Sequence, residues 1–161
     1  MKLDVLTTGG TIDKIYFDQK SEYEVGDPVV GSLLESMNVG FDYEVDQLMK
    51  LDSLDMTDEH RRKIYDRVCS SSSRHILITH GTDGMIETAQ LLEPVKDKTI
   101  VLTGALKPAA FAENDAVFNL GCAIGAISAL PAGVYIVMNG QVFSPNNVRK
   151  NRAESRFERI E

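Results

Sequence analysis

With 161 residues, 43% of them hydrophobic and 25% charged, the chain has the length and composition of one globular domain rather than of a disordered or fibrous protein. Its formal net charge of −7 argues against nucleic acid as a partner, because basic surfaces bind the phosphate backbone. No stretch reaches the roughly 18 apolar residues of a membrane span, and two cysteines distant in sequence support neither a disulfide framework nor a zinc site. We therefore expect a cytoplasmic protein with no membrane partner, in which Cys69 and Cys122 are buried.

The first half of the chain alternates apolar runs with polar or glycine-rich segments. Lys2–Thr7 is a short apolar run that ends in Thr8-Gly9-Gly10-Thr11, which is typical of a buried strand followed by a glycine loop. The polar segment 12–26 is predicted to be a mobile loop. The other elements predicted here are a helix from Val29 to Met37, a strand over Tyr43–Leu51 and a helix over Asp58–Cys69 with Thr57 as its N-cap.

The second half continues the alternation of strands and helices. The serine run 70–73 is predicted to be a turn, followed by strands over His75–Thr79, Thr99–Thr103 and Gly133–Met138 and by helices over Asp83–Leu92 and Asn114–Leu130. This pattern predicts an α/β doubly wound fold, with a mainly parallel sheet of about five strands and helices on both faces, as a single domain over residues 1–161. The Arg- and Glu-rich segment 146–161 is predicted to be either a solvated tail helix or a strap around a neighbour.

Two loops rich in glycine and threonine follow strands of the predicted sheet. They have the sequences TTGGTI (residues 7–12) and THGTDG (residues 79–84). Because ligands bind outside the carboxyl ends of parallel strands, we expect the two loops to meet over a common ligand. Glycines let backbone N–H groups approach a ligand, and threonine hydroxyls can attack it or donate to it. Neither GxGxxG nor GxxxxGK[ST] is present, so the sequence gives little support to nucleotide binding.

Three segments, TTGGTI, ITHGTDGMIETA and VLTGALKPAAFAENDAVFNL, resemble in this order the bacterial-type L-asparaginase family. The resemblance runs from Leu3 to about Asn151 and implies the fold of that family's amino-terminal domain. Members usually have a second, smaller carboxy-terminal domain, which the resemblance implies to be absent here, either naturally or by truncation. A single-domain member needs another surface to close its site, and we expect a homo-oligomer, a dimer or a tetramer.

The resemblance also implies a reaction, the hydrolysis of L-asparagine to L-aspartate and ammonia without cofactor or metal. Thr11 is implied to be the nucleophile, paired with a tyrosine of the following loop, where Tyr16 is slightly favoured over Tyr23. A hydroxyl, a carboxylate and a lysine are implied to form a second catalytic group: Thr82, Asp83 and Lys150. A buried lysine beside a carboxylate can act as the base that an ordinary hydroxyl nucleophile requires.

Substrate binding is implied for Ser53, which would hold the α-carboxylate, and for Asp83, which would face the α-ammonium group. The remaining residues implied by the motifs to line the substrate site are Gly10, Thr82 and Ala105. Members of the secreted type commonly carry an amide side chain after the serine. Here that residue is Leu54, so selectivity between asparagine and glutamine stays open. Hydrolysis of glutamine or another small amide, and a non-catalytic amino-acid-binding module, are the alternative functions.

Structural roles also stay open for five of these residues: turn or cap positions for Thr11, Ser53, Thr82 and Asp83, and an exposed surface charge for Lys150. His80 has no Ser, Cys or second His placed to form a triad with it, and is predicted to be a hydrogen-bonded structural histidine.

Overall fold

The structure is a computed structural model that describes residues 1–161. It contains the strands β1 (Lys2–Gly9), β2 (Lys14–Phe17), β3 (Glu22–Val25), β4 (Asp42–Leu51), β5 (His75–Thr79), β6 (Thr99–Thr103), β7 (Gly133–Met138), β8 (Gln141–Phe143), β9 (Arg149–Asn151) and β10 (Arg156–Glu158). The helices are α1 (Val30–Ser36), α2 (Asp58–Ser70), α3 (Met85–Leu92) and α4 (Ala116–Ala129). None of these helices has the length and apolar character that crossing a membrane requires.

The central sheet has six strands in the order β4-β1-β5-β6-β7-β8. β1 pairs in parallel with β4 on one side and with β5 on the other, and parallel pairing continues through β6 to β7. β8 adds an antiparallel edge. The chain first moves from β1 to one side of the sheet and later crosses to the other side. The loops after β1 and β5 therefore leave the sheet where the strand order reverses, which is the usual ligand site of a doubly wound fold.

Helices cover both faces of the sheet, as the sequence predicts. Side chains of a strand alternate between faces, so Leu6 and Ile78 pack with α2 and α3, whereas Val5 and Leu77 pack with α1 and α4. The connection from β5 to β6 contains α3, and the connection from β6 to β7 contains α4. Both run in the same direction across the sheet, but the two helices lie on opposite faces. These two crossovers therefore have opposite hands, although connections of this kind are right-handed in nearly all proteins.

The segment 146–161 forms neither the solvated helix nor the strap that its charges suggest. β9 and β10 pair as an antiparallel hairpin, here named the tail hairpin, which folds back onto the core of its own domain. Phe157 is fully buried, and its backbone N–H donates to Asn139 Oδ1 at 2.8 Å. The prediction is wrong because two buried side chains, Val148 and Phe157, anchor this short hairpin. Two apolar positions are too few to produce the repeating pattern by which a strand is recognised in a sequence.

The segment 12–26 contains regular structure that its polar sequence does not indicate. β2 and β3 pair as an antiparallel hairpin, here named the flap hairpin, in which Tyr16 stands opposite Tyr23. Both strands are exposed or half-buried along their whole length, so they lack the alternation of apolar and polar residues that marks a half-buried strand.

The prediction that both cysteines are buried is also wrong. Cys69 is exposed and Cys122 is half-buried. Cys69 follows the buried Val68 on α2, and one residue rotates the side chain by about 100° around a helix, which turns Cys69 out of the core. The N-cap prediction is confirmed, because the Thr57 hydroxyl accepts from the backbone N–H of His60.

Candidate active site

The two Gly/Thr loops meet at the carboxyl ends of β1 and β5. Gly10 has φ +85° and donates its N–H to Leu51 O at 2.8 Å. A methyl group at this position would lie 2.5 Å from the Cα of Gly81, and one at Gly81 would lie 2.4 Å from the Cβ of Ser53. Gly10 therefore permits both a left-handed backbone and close contact between the loops. This packing brings the turns that carry Thr11, Ser53 and Thr82 together.

A hydrogen-bonded group of three side chains lies beside this contact. Lys150 Nζ donates to Thr82 Oγ1 at 2.7 Å and to Asp83 Oδ1 at 2.8 Å. The Lys150 side chain retains only 17% of its exposure because the tail hairpin packs it against the β5–α3 loop. The structure therefore places the three residues in contact, although 67 or 68 positions separate Lys150 from the other two.

Asp83 is ionised in this setting. Partial burial pushes its pKa upward, but the hydrogen bond from Lys150 and the positive charges of Lys150 and Arg152 outweigh burial and hold the pKa of Asp83 below its ordinary value. The backbone N–H of Asp83 donates to Ser53 Oγ at 3.2 Å. Ser53 is thus tied to Asp83, and its own hydroxyl proton is left to point elsewhere.

Thr11 begins a short 3-10 turn, Thr11–Asp13, that directly follows Gly10. Its side chain is half-buried. Tyr16 and Tyr23 are about half exposed, and their ring centroids lie 5.3 Å apart in an edge-to-face contact. Neither tyrosine is hydrogen-bonded to Thr11, so the structure leaves the choice between them open.

Ala105 follows the carboxyl end of β6 and is buried against Ile12 and Ala116. Its methyl group therefore belongs to a small apolar cluster beneath the loops, and only its backbone is available to a ligand. A backbone hydrogen bond also joins the loop after β6 to the Thr11 turn, since the N–H of Ala109 donates to Ile12 O at 3.2 Å.

His80 is a structural histidine, as predicted. Its Nδ1 lies 2.7 Å from Gly81 O and its Nε2 2.8 Å from Thr88 Oγ1. Complete burial lowers the pKa of His80 to about 4, so the ring is neutral at physiological pH. A neutral ring that donates through Nδ1 and accepts through Nε2 satisfies both partners. His80 therefore fixes the turn that carries Thr82.

Two charged residues near the site escape the sequence analysis. Asp13 is 2% exposed, its Oδ1 accepts from Val29 N at 3.0 Å, and its Oδ2 has no partner. Burial raises the pKa of Asp13 to about 6, although the hydrogen bond from Val29 and the charge of Lys50 oppose the shift. The other residue is Arg152, whose guanidinium lies 2.6 Å from Asp83 Oδ1. The sequence carries one signal for each of them. Asp13 lies two positions after the candidate nucleophile, and Arg152 lies two positions after the candidate base.

No cluster of three or more His, Cys, Asp and Glu side chains is arranged to hold a metal ion. The chemistry available to the site is that of hydroxyls, a lysine, carboxylates and backbone amides. Among the amides, Thr82 N–H makes no hydrogen bond within the protein, whereas Gly10 N–H is committed to Leu51 O.

Comparisons with known proteins identify the family of the chain. The family described as asparaginase, N-terminal, matches residues 2–158. A probable periplasmic L-asparaginase from Haemophilus influenzae is 33% identical over 161 residues, which covers 92% of this chain and 46% of that protein. The solved structure of the thermostable L-asparaginase from Thermococcus kodakarensis has a TM-score of 0.86 at 26% identity. The match covers 99% of this chain and 51% of that one. The structure of a probable cytoplasmic L-asparaginase from Campylobacter jejuni has a TM-score of 0.81 at 26% identity. That match covers 98% of this chain and 51% of the other.

The chain therefore spans about half the length of the relatives that it matches. The family match covers nearly every residue of the chain, and the neighbouring structures share its mainly parallel sheet and its layers of helices. This chain belongs to the asparaginase family and corresponds to the amino-terminal domain of its members.

Proposed function

We propose that the chain is an amidohydrolase that cleaves the side-chain amide of L-asparagine to L-aspartate and ammonia, with Thr11 as the nucleophile. The observation that supports this most is the hydrogen-bonded group of Thr82, Asp83 and Lys150, packed beside the Gly10–Thr11 turn. A hydroxyl nucleophile of ordinary acidity requires a base nearby, and this group supplies one. An amino-acid-binding protein without catalysis would need Asp83 but would not need a lysine placed against a second hydroxyl.

Ser53 and Asp83 are suited to hold the α-carbon end of the substrate. The Ser53 hydroxyl accepts from Asp83 N and keeps its own proton for an anionic acceptor. Asp83 uses Oδ1 for Lys150, so Oδ2 can accept from a cationic donor. A donor for a carboxylate and an acceptor for an ammonium group, linked by one hydrogen bond, match the two charges on the α-carbon of an amino acid.

In the proposed reaction Lys150 acts in its neutral amine form. Thr11 Oγ1 attacks the side-chain carbonyl carbon, and the proton of its hydroxyl passes through Thr82 to the Lys150 amine. The carbonyl oxygen becomes an oxyanion in the tetrahedral intermediate. The uncommitted N–H of Thr82 is a suitable donor for it, and a fixed donor of this kind is worth about 3–4 kcal/mol in acyl-transfer enzymes. When the intermediate collapses, Lys150 returns the proton to the leaving nitrogen, which departs as ammonia and leaves an ester on Thr11. Water then hydrolyses this ester, which releases aspartate and restores the Thr11 hydroxyl.

The test is ammonia release from asparagine by the full chain and by Thr11→Val, which removes the hydroxyl and keeps the shape. We expect kcat to fall by at least about a thousandfold. Thr7→Val is the matched control, because Thr7 lies on β1 and its buried hydroxyl has no hydrogen-bond partner. It should retain full activity. Normal turnover by Thr11→Val would show that the nucleophile is another group.

The selectivity for asparagine over glutamine and other amides needs a separate test. Leu54 follows Ser53 and is 74% exposed, so it offers no polar contact with which to distinguish asparagine from glutamine. Ammonia release from asparagine, glutamine and simple amides measures this selectivity. Binding of asparagine in calorimetry without any turnover would instead indicate the binding module.

We also propose that the protein acts in the cytoplasm as a homo-oligomer, a dimer or a tetramer. A single-domain member of the family needs another surface to close its site, and a second copy of the chain supplies one. The mass in solution, measured on the sample that is assayed for ammonia release, tests the assembly. Cell fractionation tests the compartment.

A further inference from the structure

Asp83 has two cationic partners, and both contact the same oxygen. Lys150 Nζ lies 2.8 Å and Arg152 Nη2 2.6 Å from Asp83 Oδ1, whereas Oδ2 makes no hydrogen bond within the protein. We infer that Arg152 is a positioning residue, which holds Asp83 by Oδ1 so that Oδ2 stays available to the α-ammonium group of the ligand. This inference rests on the proposed function, from which it takes an amino acid as ligand.

Lys150 alone is a poor anchor for this carboxylate. It also donates to Thr82, and in the proposed reaction it exchanges a proton with that hydroxyl. Arginine keeps its charge at every pH at which proteins are folded. Arg152 therefore gives Asp83 a cationic partner throughout the reaction, and a second donor on Oδ1 restrains the carboxylate from turning Oδ2 away from the ligand.

The backbone that carries Arg152 is fixed at the start of the turn of the tail hairpin. Its carbonyl accepts from Ser155 N at 3.3 Å, and the neighbouring Asn151 Oδ1 accepts from Glu154 N at 3.2 Å. The Arg152 side chain itself is 68% exposed. Solvent therefore screens the ion pair, and the expected effect of removing it is about threefold rather than a hundredfold.

The experiment compares the binding of L-aspartate and succinate, which differ only in the α-ammonium group, by calorimetry on the full chain. Four proteins are needed: the wild type, Arg152→Gln, Arg152→Lys and Arg156→Gln. Arg156 is the matched control, since it lies on the same hairpin, is 54% exposed and pairs with Glu158 instead of Asp83. Thermal unfolding of each variant establishes that it is folded.

We expect the wild type to prefer aspartate, and Arg152→Gln to reduce the ratio of the two affinities by about threefold. Arg152→Lys should restore part of the preference, and Arg156→Gln should leave it unchanged. If Arg152 instead bound a ligand carboxylate, both ligands would lose affinity by about the same factor, because they carry the same two carboxylates, and the ratio would stay constant. A constant or increased ratio, or a wild type that binds neither ligand, overturns the inference.

Ammonia release by the wild type separates this inference from the proposed function. Turnover of asparagine with an unchanged ratio in Arg152→Gln leaves the proposed function intact and removes Arg152 from it. Binding with the expected change in ratio, but without turnover, keeps the role of Arg152 and removes the hydrolysis.

Discussion

The flap hairpin and the tail hairpin are both short antiparallel pairs at the edge of the site, yet they are attached to the domain very differently. The tail hairpin buries Phe157 completely and Lys150 mostly, and it reaches the core through Val148. The flap hairpin exposes about half of Tyr16 and of Tyr23. Its aromatic rings pack mainly on each other and on Phe111.

The difference indicates a division of work within the site. The proposed base, Lys150, has to stay in fixed hydrogen-bonded contact with its partners, and it has this contact because Phe157 anchors its hairpin. A group that joins after the substrate has entered belongs on a weakly attached segment, as in enzymes with closing loops. The flap is attached at its base, where Asp13 O accepts from Gly26 N at 2.7 Å and Lys14 pairs with Asp52 at 2.8 Å.

Among the residues of the two hairpins, removal of the proposed base should have the largest effect. Lys150→Met leaves Thr82 and Asp83 without their shared donor, and we expect kcat to fall by about a thousandfold, or ~4 kcal/mol, with a smaller change in KM. Lys20→Met on the flap hairpin is the control, because Lys20 is exposed and pairs only with Glu24. Unchanged turnover of Lys150→Met would make Lys150 a structural residue.

The anchoring of the two hairpins can be compared by truncation. Phe157→Ala removes a fully buried ring and should lower the free energy of unfolding by about 3–4 kcal/mol. Tyr23→Ala on the flap should lower it by less than about 1 kcal/mol, because half of that ring already faces water. Denaturant unfolding measures both values. Equal losses would mean that the flap is attached as firmly as the tail hairpin.

Asp13 provides a pH-dependent test of the base of the flap. Its pKa rises from an ordinary value of 3.8 to about 6 on folding, so the folded protein holds this proton more tightly than the unfolded chain. Asp13 therefore lowers stability as the pH rises from 4 through 6, by at most about 3 kcal/mol for a shift of this size. The charged side chains around it are Lys50, which favours its ionised form, and Asp27, which pairs with Lys50.

Asp13→Asn removes this titration. The free energy of unfolding of the variant, minus that of the wild type, should increase between pH 4 and pH 7 by roughly 2 kcal/mol. Denaturant unfolding at several pH values measures the difference, in which the other titrating groups cancel. A difference that does not depend on pH would show that folding does not shift the pKa of Asp13.

The sequence predicts the sheet, its helices and the meeting of the two Gly/Thr loops, because apolar runs and glycine turns are local signals that parallel topology brings together. It does not predict the tail hairpin, whose place depends on two buried side chains in a charged segment. Nor does it find Arg152 or the buried Asp13, because the contacts that define their roles join residues far apart in the chain or depend on burial. The family resemblance identifies Lys150 as a site residue, but it does not identify Arg152.

The smallest expected effect concerns the flap, where Tyr16 and Tyr23 lie opposite each other with their rings in contact. Removal of one hydroxyl leaves the ring packing intact, so Tyr16→Phe and Tyr23→Phe should both keep the stability of the wild type. Tyr16 lies on the strand that directly follows the Thr11 turn, and we propose that its hydroxyl is the one that acts with the nucleophile. We expect kcat to fall about tenfold for Tyr16→Phe and about twofold for Tyr23→Phe, measured by ammonia release. The reverse order would assign the catalytic hydroxyl to Tyr23. Two unchanged rates would mean that the flap acts only by excluding water, as a rigid cover could, and would remove the functional reason for its weak attachment.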